Sequence, residues 1–192
     1  MDVGVFIFDT DYSINISQLA EELEQRGYES LFVPEHTHIP TSRRSPFPGG
    51  GELPKQYSHT LDPFVSLGFA AAATKKLKIG TGICLLPQRD PIVTAKSIAS
   101  LDLMSNGRFV LGLGGGWNVD EMENHGVTYK TRFPMMKEHV LAMKSLWVDE
   151  EAEFHGEFVN FDKSWAYPKP IQKPYPPILM GGETDYTLKR VV

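Results

Sequence analysis

The sequence predicts an α/β fold of the (β/α)8 TIM-barrel type, incomplete, with about six βα units in 192 residues. Three observations predict it. Strand-like and helix-like runs alternate from Val3 onward. The strand-like runs, such as Val3 to Phe8, are almost continuously apolar, the pattern of parallel strands covered on both faces. Glycines recur where these runs end, at Gly82, Gly114 and Gly181. A closed barrel uses eight units and typically about 250 residues. The expectation is therefore one partial barrel domain over residues 1–192, whose last strands lie outside it or come from a partner.

Val3 to Phe8 is the first strand, closed by Asp9 and Asp11. Asn15, with Gln18 three residues on, resembles a helix N-cap; Ile16, Leu19, Ala20 and Leu23 follow at helical spacing, and Gly27 stops the helix. Ser30 to Pro34 is the second strand and leads into Glu35, His36 and His38. Residues 39–58 are rich in Pro, Gly and Ser. So long a loop is uncommon in a compact domain, and after a strand it falls on the carboxyl-terminal face, so a substrate lid is expected. Asp62-Pro63 and Asp90-Pro91 each set an acceptor before a proline at the first helical position, predicting helices to about Thr74 and to Ser105. Leu77 to Leu86 and Arg108 to Leu113 are the third and fourth strands. A helix from near Pro134 puts Met136, Val140, Met143 and Trp147 on one core-facing stripe. Glu153 to Phe161 alternates apolar and polar residues, predicting a small antiparallel excursion before the last strand, Ile178 to Met180.

A net charge of −5 argues against a polyanion-binding surface. The single cysteine, Cys84, excludes an intramolecular disulfide and a cysteine-based metal site. No basic segment precedes an apolar stretch at the amino terminus, and no apolar run approaches the roughly 20 residues of a membrane span. The expected setting is cytoplasmic, with a small-molecule substrate and neither nucleic acid nor membrane as partner.

Three strand ends could carry chemistry. Glu35 and His36 close strand two, where a carboxylate beside an imidazole can serve as acid and base; capping the long loop by hydrogen bonding is the alternative. Gly82, Ile83 and Cys84 end strand three, where a glycine in an apolar strand marks a bulge or the close approach of a ligand. Gly112 to Asn118 follows strand four; Gly114, Gly115 and Gly116 could let amides form an anion nest, with Trp117 walling off a flat ring, or could make a tight turn before a core tryptophan. Gly181 and Gly182 end the last strand in the same way. His36 and His38 could share a metal only if further ligands converged, and no later strand end supplies a clear histidine, so no metal site is expected.

These segments resemble the bacterial luciferase-like flavin and deazaflavin oxidoreductases, which are (β/α)8 barrels. The resemblance covers essentially the whole chain. It runs through Phe32 to His36, Lys78 to Gly82, Asp90-Pro91 with Lys96, and most specifically Leu101-Asp102 through Ser105 to Arg108 into Gly112 to Asn118. His155 to Phe158, Pro168 to Pro170 and Pro176 to Gly182 follow in the family's order. Glu35-His36-Thr37-His38-Ile39-Pro40 is similar to the mycobacterial-type branch that uses coenzyme F420, although many members carry Asp where Glu35 stands.

The resemblance implies hydride transfer between F420, or alternatively FMN, and a small organic substrate, with the ring over the carboxyl-end rim. It implies cofactor contacts at Gly82, Ile83, Cys84, Gly114 to Asn118, Gly181 and Gly182, and a catalytic role for His36 with Glu35. It also implies a non-proline cis peptide at Gly82-Ile83, two further strands whose loops help hold the cofactor phosphate, and a homodimer. The other readings are an FMN-dependent monooxygenase and a shortened barrel that binds flavin without turnover.

Overall fold

The computed structural model describes residues 2–191. In chain order the elements are β1 (Gly4–Phe6), α1 (Ile16–Gln25), β2 (Ser30–Val33), α2 (Pro63–Ala73), β3 (Lys78–Thr81), α3 (Pro91–Met104) and β4 (Phe109–Leu113). They continue with α4 (Val119–Asn124), α5 (Arg132–Val148), β5 (Ala152–His155), β6 (Asn160–Ser164), β7 (Ile178–Met180) and α6 (Asp185–Val191). Five strands form one parallel sheet in the order β1-β2-β3-β4-β7, the arc of an open (β/α) barrel. The expected six are five because the alternating segment after α5 pairs with itself, as the antiparallel β5-β6 hairpin.

Three helices start where the sequence places them, while α5 begins at Arg132 and α4 was not expected. Asn15, Asp62 and Asp90 each accept amide hydrogen bonds from the first turn, and Pro63 and Pro91 take the first helical position, where no amide partner is needed. Leu31, Val33, Ile79, Leu111 and Leu113 of the sheet pack with Leu67, Ile98 and Met143 of the covering helices, all essentially inaccessible. Burying such a side chain contributes roughly 1.5–3 kcal/mol.

Two strands are shorter than their apolar runs. β1 ends at Phe6: Ile7 still donates to the Phe32 carbonyl, but Phe8 turns out of the ladder into an aromatic cluster. β3 ends at Thr81, where the Gly82–Ile83 peptide is cis. Cys84 rejoins as a lone parallel bridge to Leu113, and the Leu85 amide then leaves the sheet for the Glu35 carboxylate at 2.7 Å.

The amino-terminal face of the sheet is tied by two charged side chains. Glu24 accepts from the amides of Lys75, Lys76 and Leu77 ahead of β3. Arg108, ahead of β4, donates to the carbonyls of Ala71, Thr74, Leu77 and Ser105, among them carbonyls at the ends of α2 and α3 that lack helical partners. That fixed face leaves the opposite rim for chemistry. No helix among the described residues is long and apolar enough to cross a membrane.

Candidate active site

Adjacent in sequence, Glu35 and His36 go to different partners. Glu35, 3% exposed, accepts from the Leu85 amide and from Arg89 Nε at 2.5 Å, and Arg89 extends to Asp62. Its carboxylate fastens the turn after β3 to the start of α2. His36 Nδ1 lies 2.8 Å from Glu121 Oε2, with both side chains buried. Glu121 in carboxylate form accepts the Nδ1 hydrogen and leaves Nε2 as a lone-pair acceptor, so the partner selects the tautomer.

Glu121 was not legible as a site residue, although a signal for it exists. Asn118 and Glu121 have capping-box spacing, which announces α4. Asn118 caps the helix through its side-chain oxygen to the Glu121 amide. Glu121, instead of returning to the cap, spends its carboxylate on His36.

His36 closes one side of an aromatic wall. Phe6 contacts Phe8, Phe8 contacts Tyr57, and Tyr57 stands 5.3 Å from both His36 and Phe47. Trp117 meets His36, Phe47 and Tyr57 edge-on at 5.9, 6.1 and 6.4 Å. Such pairs contribute about 0.5–1.5 kcal/mol each beyond burial. Phe47 and Tyr57 belong to the 39–58 segment, whose spacing gave no hint of them. Phe6 is 53% exposed at the end of β1, beside Gly82, so an apolar aromatic surface stays open on the rim.

The glycines and Cys84 are mostly spent internally. A Cβ at Gly114 would run into Ile83 Cδ1, and one at Gly181 would come within 3.1 Å of the same atom; Ile83 occupies the hollow these glycines make. Phe133 packs against Gly115, and Gly116 takes a positive φ of 73° above Met122. Gly182, also at positive φ, lies against Thr187. Cys84 is fully buried; its amide donates to Gly112 and its carbonyl accepts from Gly114. Burial, and next the Glu35 charge, push its thiol well above the ordinary range, which disfavours the thiolate.

His36 and His38 diverge rather than converge. Asn124 donates to His38 Nε2, and Thr37 Oγ1 lies 2.9 Å from His38 Nδ1 and 2.7 Å from His125 Nε2. Burial first, then the nearby His38, push the His125 imidazole down.

The segment 39–58 is latched to α4. Asp120 accepts from Ser42 Oγ at 2.6 Å, the Arg44 amide at 3.1 Å and Ser45 Oγ at 3.1 Å, while Arg44 pairs with Glu123 at 2.6 Å.

A partial parallel barrel thus carries an imidazole and an aromatic wall on its carboxyl-end rim, the face on which barrel active sites sit. The chain belongs to the Luciferase-like monooxygenase family, whose profile matches residues 1–192. It is 46% identical over 184 residues to the Mycobacterium tuberculosis protein Rv0953c, covering 94% of this chain and 65% of that one. The chain therefore spans about two thirds of the length of that relative. A 33% identity over 116 residues links it to the FMNH2-dependent dimethylsulfone monooxygenase of Pseudomonas putida, covering 59% of this chain and 32% of that one. Among solved structures, the monooxygenase RslO1 of Streptomyces bottropensis superposes with a TM-score of 0.84 at 25% identity, covering 100% of this chain and 56% of that one. An F420-dependent secondary alcohol dehydrogenase, in complex with an F420-acetone adduct, superposes at 0.74 and 25% identity, covering 94% and 52%.

Proposed function

We propose that this chain carries the rim of an F420-dependent oxidoreductase that moves a hydride between the deazaflavin and a small organic substrate. The single observation behind it is the His36–Glu121 pair, a buried imidazole with one nitrogen committed and the other unpaired among the described residues, facing aromatic side chains. The likeness to an F420-dependent alcohol dehydrogenase supports the choice of cofactor.

The residues present fit a flat tricyclic ring. Phe6, Ile83 and Met180 offer an apolar floor that is open or half-buried, and Trp117 with Tyr57 offers a wall. When bound, the deazaflavin supplies two-electron hydride acceptance or donation. The chain's part is the proton. As a substrate C–H bond gives up its hydride, His36 Nε2 takes the proton from the attached oxygen; in the reducing direction it returns that proton. Glu121 holds the ring in the accepting tautomer and stabilises the imidazolium that forms. Glu35 positions the turn that carries Ile83. The lid residues Phe47 and Tyr57 keep water from the imidazole.

A second reading, an FMN-dependent monooxygenase, is supported by the FMNH2-dependent relative. Titrating the 192-residue chain with F420 and with FMN, following tryptophan fluorescence, separates them. Saturable F420 quenching that Trp117→Ala weakens, with little response to FMN, is the expected outcome; the reverse preference favours the monooxygenase, and binding of neither, by this chain and by a form extended to a full barrel, sinks both. With a turnover assay, His36→Asn lowers kcat by about 10²–10⁴-fold, the usual worth of a general acid–base group. Glu35→Gln instead lowers the urea midpoint while changing kcat far less. A homodimer stays part of this proposal.

A further inference from the structure

We propose that the concavity formed within the 39–58 segment is a subsite for a small organic anion, a carboxylate on an apolar body, and that Arg43 selects its charge. The concavity, about 510 Å³, is lined by Ile39, Pro46, Phe47 and Leu53, with Arg43 and Glu52 as its charged members. The inference rests on the oxidoreductase reading of the adjoining rim. Phe47 is the shared wall, lining the concavity while meeting Trp117 and Tyr57 edge-on. An apolar body against Phe47 therefore lies next to the His36 site.

The segment carries three cations, and the structure gives each a different use. Arg44 is committed to Glu123 and Asp120. Lys55 lies 4.5 Å from the Tyr12 ring and does not line the concavity. Arg43 has no acidic partner within ion-pair distance among the described residues; its one side-chain bond is a long 3.4 Å contact to the Ser45 carbonyl. It is half-buried, and its guanidinium stands 6.0 Å from the Trp117 ring centroid. Its backbone sits at φ 48°, in the left-handed region that non-glycine residues adopt uncommonly. A half-buried guanidinium presents a fork of donors that matches a carboxylate, and charge-assisted bonds of that kind are about twice as strong as neutral ones. The segment's single acid, the exposed Glu52, lines the same concavity and opposes an anion there.

The test compares phenylacetate with its neutral isostere phenylacetamide in ligand-observed NMR titrations of the 192-residue chain, alone and with F420. Phenylacetate should bind about tenfold more tightly than the amide. Arg43→Gln should erase that preference, Arg43→Lys should keep part of it, and Glu52→Gln should widen it. F420 affinity should be the same in Arg43→Gln as in the parent. Equal binding of the two probes, no binding of either, or a preference that survives Arg43→Gln overturns the proposal. So does an Arg43→Gln chain whose F420 affinity falls while its probe preference persists, which would assign the arginine to the cofactor's anionic tail. If F420 fails to bind this chain and a form extended to a full barrel while the preference follows Arg43, the oxidoreductase reading falls and the anion subsite stands.

Discussion

Ile83 and the glycines around it show how this rim trades side chains for proximity. The branched side chain lies in a hollow bounded by Gly114 and Gly181, where a Cβ would crowd it, while Gly112 is held bare chiefly by the Thr81 carbonyl. Gly114→Ala should lower stability by about 1–3 kcal/mol, the usual cost of forcing an extra methyl into a packed site. Ile83→Val removes the colliding Cδ1, so the double variant should recover most of that loss in a urea titration, to within the roughly 0.5–1.5 kcal/mol that Ile→Val itself costs. A double variant no more stable than Gly114→Ala would show that the glycine serves something other than Ile83. Glu35 makes a comparable point about charge. Removing one partner of a buried pair costs about 3–5 kcal/mol, so Glu35→Ala should unfold at clearly lower urea than the parent.

At the scale of elements, glutamates act as fasteners for turns. Glu24 holds the turn into β3, and Glu138 on α5 accepts from the amides of Glu157, Phe158 and Val159 at the β5-β6 turn. Partial burial pushes both carboxyls up, but three amide bonds on each pull harder, and both end below their ordinary value. Their stabilisation is therefore complete above the unfolded glutamate value, about 4.3, and is lost as pH falls through the lower folded values. His139 adds to the same trend: burial pushes its imidazole down, so stability is present above the ordinary value of about 6.5 and drains as pH falls below it. Urea midpoints should thus drop from pH 7 to pH 5.5 and again below pH 4.5. Glu24→Gln should lower the midpoint at pH 7 while flattening the second drop. Helix starts were readable because Asn15, Asp62 and Asp90 act locally. The role of Glu121 was not, because its partner lies 85 residues away in sequence, and neither was the aromatic wall, which gathers Phe6, Phe47, Tyr57 and Trp117 from separate segments.

Across the whole molecule, the outer face of the helical layer is unusually apolar at α2. Val65 and Phe69, one turn apart, are 61% and 63% exposed, and Val93 of α3 is 63% exposed. Single exposed apolar residues are ordinary, but several on neighbouring helices make this face the one the proposed homodimer would use. A second copy of the chain is the occupant that the proposed homodimer requires. Val65→Asp with Phe69→Asp should shift the solution mass from dimer to monomer while leaving the far-UV spectrum unchanged; an unchanged mass would remove these helices from the interface. The parallel arc itself was legible, since continuous apolar runs and βα alternation report it directly. The five-strand count was not, because the β5-β6 hairpin satisfies its own backbone and leaves the sheet.

The short helix α4 has a consequence of its own. Asp120 grips the 39–58 segment through Ser42, Ser45 and the Arg44 amide, and the very next residue, Glu121, holds His36 Nδ1. The proposed lid and the proposed base thus hang from one helix of six residues. Under the proposed function, an opening that carries α4 along with residues 39–58 would also part Glu121 from the imidazole, so proton transfer would wait until the substrate has been enclosed.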